Sequence, residues 1–96
     1  MYKELDPLLH SQLRLSIVSI LMTVDKADFI FIKESTKAAA GNISIQIKKL
    51  QDAGYIKVEK SFKNNYPNTT ISITKKGIKA FEDYVNNLKK YIHPQR

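Results

Sequence analysis

The chain has 96 residues, 43% of them apolar and 26% charged, with a formal net charge of +7 and no cysteine. That length suits one domain over residues 1–96, since two cores of half the size would be too small to hold themselves together. Without cysteine there is no disulfide framework, thiolate zinc site or thiol nucleophile, so a reducing, cytoplasmic setting is expected.

No apolar run reaches the roughly 18 residues of a membrane span, and no membrane partner is expected. Leu15–Val24 follows Glu4 and Asp6 rather than a basic start and precedes no small-residue cleavage site, so it reads as a buried helix, not a signal peptide. Asp6-Pro7 predicts the start of that helix, with the acid as cap and proline in the first turn, and the pattern runs over residues 6–24. Leu9, Leu13, Ile17, Ile20 or Leu21, and Val24 form one stripe, and Leu8, Leu15, Val18 and Met22 form a second. A helix apolar on two faces is covered on both, and in so short a chain the second face is assigned to a partner subunit.

Asp28 caps a short second helix carrying Phe31 and Ile32 and ending near Thr36. A third helix is predicted over 39–53: Ile43, Ile47 and Leu50 fall on one face, and Gly54 supplies a left-handed stop. Ile45, Lys48, Lys49 and Asp52 point the opposite way, with Asn42 and Ser44 on the flanks. Ile56, Val58 and Phe62 then alternate with Lys57, Glu59 and Ser61, and Ile71 and Ile73 alternate with Thr70, Ser72 and Thr74, which predicts two half-buried strands. Residues 63–68 join them as a long polar loop. Thr74 caps the last helix, over 75–92, where Ile78, Phe81, Val85, Leu88 and Ile92 step by three and four. That seam either packs inside the monomer or, with Leu8, Leu15, Val18 and Met22, forms a homodimer interface.

Charge is confined to one part of this plan. Residues 37–79 hold nine lysines against Asp52 and Glu59, a net +7, while the remaining seven basic and seven acidic residues cancel. A lysine-rich half raises the local potential toward a polyanion. The element order of three helices, a two-stranded hairpin and a long helix is that of an α+β, mainly α, winged helix-turn-helix, whose third helix enters the major groove of duplex DNA while the hairpin follows the backbone. The candidate DNA contacts are Lys37 ahead of the third helix, Asn42, Ser44, Ile45, Gln46, Lys48 and Lys49 on it, and Lys60, Lys63, Asn64, Asn65, Tyr66 and Asn68 in the wing at about 60–70.

The chain also resembles the short stand-alone winged-helix regulators related to the MarR and ArsR classes. The strings that carry the resemblance are Leu5-Asp6-Pro7, Ala27-Asp28-Phe29, Gly41-Asn42-Ile43-Ser44, Ala53-Gly54-Tyr55-Ile56 and Pro67-Asn68-Thr69-Thr70, in that order between Leu5 and Ile92. The resemblance implies a homodimeric DNA-binding transcriptional regulator joined through its terminal helices. Two departures stand out. Such proteins usually open the recognition helix with Thr or Ser, where this chain has Ala38-Ala39-Ala40, and often carry Arg and His where it has Ile45 and Gln46. A missing cap typically costs ~0.5–2 kcal/mol. Ile45 offers only apolar contact to a thymine methyl, and Gln46 favours adenine, so a shifted base preference is expected.

Other chemistries find little footing. Glu82 and Asp83 are neighbours on a helix and point apart, and the chain has no glycine-rich phosphate loop, so no enzyme and no cofactor is expected. His10 and His93 lie far apart and no metal site is expected; His10 is assigned a local helix contact and Arg14 a salt bridge. The competing use of the same fold is a protein-docking module anchored by Ile45 and the alanine turn, and RNA binding is a weaker third reading because few aromatics besides Tyr66 are available for stacking. An effector ligand is not specified.

Overall fold

The computed structural model describes residues 2–93. Helix α1 spans Gln12–Leu21, strand β1 Ala27–Asp28, helix α2 Phe29–Thr36, helix α3 Ala40–Asp52, strand β2 Ile56–Lys63, strand β3 Tyr66–Ile73 and helix α4 Lys75–Ile92. The strands form one antiparallel sheet in the order β1-β3-β2. This is a winged helix, mainly helical, with one strand more than the two-stranded hairpin expected from sequence.

The core lies where helices and sheet meet. Leu9, Ile17, Val18 and Leu21 pack with Ile32 of α2, with Ile43, Ile47 and Leu50 of α3, and with Ile56, Ile71 and Tyr84. Fully burying each Leu or Ile side chain contributes about 1.5–3 kcal/mol, so the three residues on one face of α3 fasten that helix and turn its other face outward.

Three local expectations are corrected. α1 starts at Gln12 behind a Ser11 cap and ends at Leu21 rather than near Val24. Asp6 is occupied elsewhere: it accepts from Leu8 N at 2.9 Å and from the Tyr55 hydroxyl at 2.5 Å, so Asp6-Pro7 opens a turn instead of a helix. Next, β1 exists: Ala27 pairs with Ile71 and Asp28 with Thr70. Finally, the long loop is a two-residue turn. Lys63 pairs with Tyr66, and Asn64 (φ 52°) and Asn65 (φ 66°) both take the left-handed region, which asparagine tolerates and a tight hairpin requires. Pro67 is accommodated within β3 because β1 covers only Thr70 and Ile71, leaving β3 without a second neighbour at that point.

Candidate nucleic-acid interface

α3 divides cleanly into two faces. Ile43, Ile47 and Leu50 are buried, while Asn42, Ser44, Ile45, Lys48 and Lys49 are exposed, with Ile45 at 56% of its full area. Lys37 is exposed at the left-handed C-terminus of α2 (φ 58°), just ahead of α3. One flank of α3 meets the hairpin: Ser44, Lys48 and Gln51 line a groove with Val58, Lys60 and Thr69, so the structure brings Lys48 and Lys60 to the same cleft. The other flank meets α1. There Gln46, half-buried, accepts from Arg14 at 2.5 Å and donates to Asn42 at 2.9 Å.

The hairpin outruns the core. Residues that pair across it share a face, so Phe62 and Pro67 continue the face begun by Ile56 and Val58, and Lys63 and Tyr66 lie on the other. Phe62 is nonetheless 78% exposed and Tyr66 74%. Alternation assigns Phe62 to the buried set; the structure places it at the tip, beyond anything that would cover it. Lys63, Asn64 and Asn65 gather at the same tip and are exposed, whereas Asn68 sits half-buried in β3 opposite Ser61.

The basic excess contracts once partners are considered. Lys48 pairs with Asp52 at 2.8 Å, Lys57 with Glu59 at 3.9 Å, and Lys79 with Asp83 at 2.7 Å, all exposed. The hydrogen bond from Lys79 to Asp83 and the charge of that carboxylate raise the lysine pKa above its ordinary value. Lys37, Lys49, Lys60, Lys63, Lys75 and Lys76 have no such carboxylate partner among the described residues. Exposed pairs of this kind hold by about 1 kcal/mol or less, so Lys48 is readily redirected to a phosphate.

The salt bridge expected of Arg14 is corrected. Arg14 makes no ion pair among the described residues, but its Nε donates to the Leu8 carbonyl at 2.6 Å while another guanidinium nitrogen reaches Gln46. His10 is likewise tied over a distance: its Nδ1 lies 3.0 Å from the hydroxyl of Tyr84, 74 residues on. Among the described residues no three His, Asp or Glu side chains come together to hold a metal ion.

The residues assigned to a dimer interface fall into groups. Val18 is fully buried within its own protomer and offers no surface to a partner, a correction to its assignment. Leu8, Leu15, Phe81 and Leu88 are half-buried against the core. Met22 and Val85 line a shallow groove beside Phe81, and Ile92 is 60% exposed. No helix among the described residues is long and apolar enough to cross a membrane.

Comparison with known proteins follows the same line. A family described as winged helix DNA-binding domain matches residues 13–92. An uncharacterized protein of Methanocaldococcus jannaschii, MJ0432, is 32% identical over 76 residues, spanning 79% of this chain and 83% of that one. A transcriptional regulator homologue from Pyrococcus horikoshii superposes with a TM-score of 0.83 at 28% identity, covering 88% of this chain and 84% of the other. Mutant MarR from E. coli in complex with operator DNA shares the fold at a TM-score of 0.72 and 14% identity, over 91% of this chain and 61% of that one.

Proposed function

Because the chain belongs to the winged helix DNA-binding domain family, a family of binding domains rather than enzymes, we propose that it is a transcriptional regulator that binds duplex DNA as a homodimer. In this reading α3 lies in the major groove, where Asn42, Ser44, Ile45, Lys48 and Lys49 meet the duplex. Lys37 and the wing residues Lys60, Lys63, Asn64, Asn65 and Tyr66 then run along the backbone. The observation that carries it is the confinement of the net +7 to residues 37–79, which include α3 and the hairpin. The MarR structure with operator DNA supports it by analogy of fold. Met22, Val85 and Ile92, outside the protomer core, supply apolar surface for the second copy, which would set two recognition helices ~34–36 Å apart on a near-palindromic site.

A salt series on genomic duplex fragments tests the reading. Log affinity is expected to fall with log salt by ~0.9 per neutralised phosphate, and Lys48→Glu/Lys49→Glu to lower affinity at least tenfold and flatten that slope. Undetectable or salt-independent binding by the native chain overturns it. Ile45, exposed at 56% on the same face, favours a second reading, a protein-docking surface. Duplex affinity unchanged by the paired lysine substitution is the result that would favour it.

A further inference from the structure

Three side chains link α1 to the exposed flank of α3 in a fixed order. Arg14 Nε donates to the Leu8 carbonyl at 2.6 Å, anchoring one edge of the planar guanidinium. A terminal nitrogen of the same group donates to Gln46 Oε1 at 2.5 Å. Arginine has donors and no acceptor, so only the oxygen end of the Gln46 amide can face it. The Gln46 nitrogen is thereby turned the other way, and it donates to Asn42 Oδ1 at 2.9 Å. That contact uses the oxygen of Asn42 and turns its nitrogen away from the network, at an exposed position in the first turn of α3.

We propose that Arg14 is a positioning residue for DNA recognition: through Gln46 it orients Asn42 so that the Asn42 NH2 group is presented to a hydrogen-bond acceptor on the duplex. This rests on the DNA-binding reading above. An amide is a two-ended group, and left alone it turns either its donor or its acceptor outward at similar cost. Phosphate oxygens only accept, and so do the N7 and O6 atoms of guanine in the major groove, so an outward acceptor at Asn42 meets them badly. One residue without an acceptor sets the sense of both amides. The relay also assigns Gln46 a different task from direct adenine recognition: it transmits orientation from α1 to the helix edge. The acceptor is a backbone phosphate or a base edge, and the two separate by whether the contact depends on sequence.

The test uses the full chain with Arg14→Met, Arg14→Lys, Asn42→Ala and the double variant Arg14→Met/Asn42→Ala. Thermal midpoints and side-chain amide NMR signals are recorded for each, and affinities are measured on a randomised duplex library. Arg14→Met is expected to shift the side-chain amide signals of both Gln46 and Asn42 in the unbound protein. Asn42→Ala is expected to weaken duplex binding by about tenfold, and Arg14→Met by about twofold, the population cost of an amide left to turn either way. The double variant should lose no more than Asn42→Ala alone, because Arg14 acts only through the contact that Asn42→Ala removes. Arg14→Lys, which keeps a donor, should recover part of the loss. A loss spread evenly over the library identifies the acceptor as phosphate, and a loss confined to one base position identifies a base edge; both support the relay. Additive losses, an unmoved Asn42 amide signal, or an Arg14→Met variant with a lowered midpoint and native affinity overturn it. A native chain that binds no duplex at low salt overturns the DNA-binding reading itself, a result distinct from additive losses, which sink the relay alone.

Discussion

α3 and α4 each begin behind an N-cap residue with extended backbone, Ala39 and Thr74, and both carry a glycine in the first turn, yet they begin in opposite ways. At the start of α4, Thr74 accepts from Gly77 N at 3.1 Å, donates its hydroxyl to the Gly54 carbonyl at 2.6 Å, and donates its backbone N–H to the Tyr55 carbonyl at 3.0 Å. Gly77 is buried there, and a Cβ on it would stand 2.2 Å from the Tyr55 carbonyl oxygen. α3 begins at Ala39 with no side-chain cap, and a Cβ on Gly41 would meet nothing within 4 Å. The contrast shows what each terminus is for. The start of α4 is a joint in the fold, closed by backbone contact. The start of α3 is held from behind by Ile43 and leaves its first N–H groups, the positive end of the helix dipole, without a side-chain cap.

The largest effect that can break this comparison is a matched pair of substitutions. Gly77→Ala forces a methyl group into a carbonyl that cannot rotate aside, and it is expected to cost about 1–3 kcal/mol or more. Gly41→Ala adds the same methyl in open space and replaces the poorer helix former, so it should stabilise by up to about 1 kcal/mol. Urea midpoints read both. If the two variants moved in the same direction, the difference between the joints would be illusory.

The missing cap gives a smaller and more discriminating pair. Ala39→Ser supplies an acceptor for the first turn and is expected to stabilise by about 0.5–2 kcal/mol while leaving duplex affinity near native. Ala39→Asp should stabilise at least as much, since an anion also complements the helix dipole, but it places negative charge where a phosphate would approach. Stability and affinity should therefore move apart in the aspartate variant alone. An aspartate variant that is both more stable and equally tight on DNA would remove the start of α3 from the interface.

Much of this contrast was legible in the sequence, and the rest shows where local signals stop. Ile43, Ile47 and Leu50, the stop at Gly54 and the cap at Thr74 are each written within a few residues of where they act, and the structure reproduces them. Asp6 carries a cap signal just as strong, but Tyr55, 49 residues on, shares that carboxylate, and the helix starts later. β1 has two residues, too few for any period to register, and it exists because Ile71 and Thr70 pair with it. Phe62 fits the alternation of a buried strand, yet burial depends on how far the core extends, which alternation does not encode. The interface divides the same way. The lysines of α3 follow from helical geometry, whereas the Arg14–Gln46 contact joins residues 32 apart and has no local trace.

Tyr55 offers the finest test of the α4 joint, because its carbonyl receives Thr74 while its hydroxyl donates to Asp6. Burial, aided by the hydrogen bond to Asp6 and the charge of that carboxylate, pushes its pKa from 10.0 up to about 12. The native state therefore holds the phenol proton more tightly than the unfolded chain does. The stabilisation is fully present below the unfolded value and is lost as pH rises through the folded one, between 10.0 and about 12. Tyr55→Phe keeps the ring and the backbone carbonyl but has no proton to lose. Both proteins share the same titrating lysines, so the difference between their urea midpoints isolates this residue. The native chain should be the more stable at neutral pH, and its advantage should shrink across that alkaline window. A constant difference up to the top of the window would mean that the hydroxyl is not held to Asp6, leaving Gly77 and Thr74 as the whole of the joint.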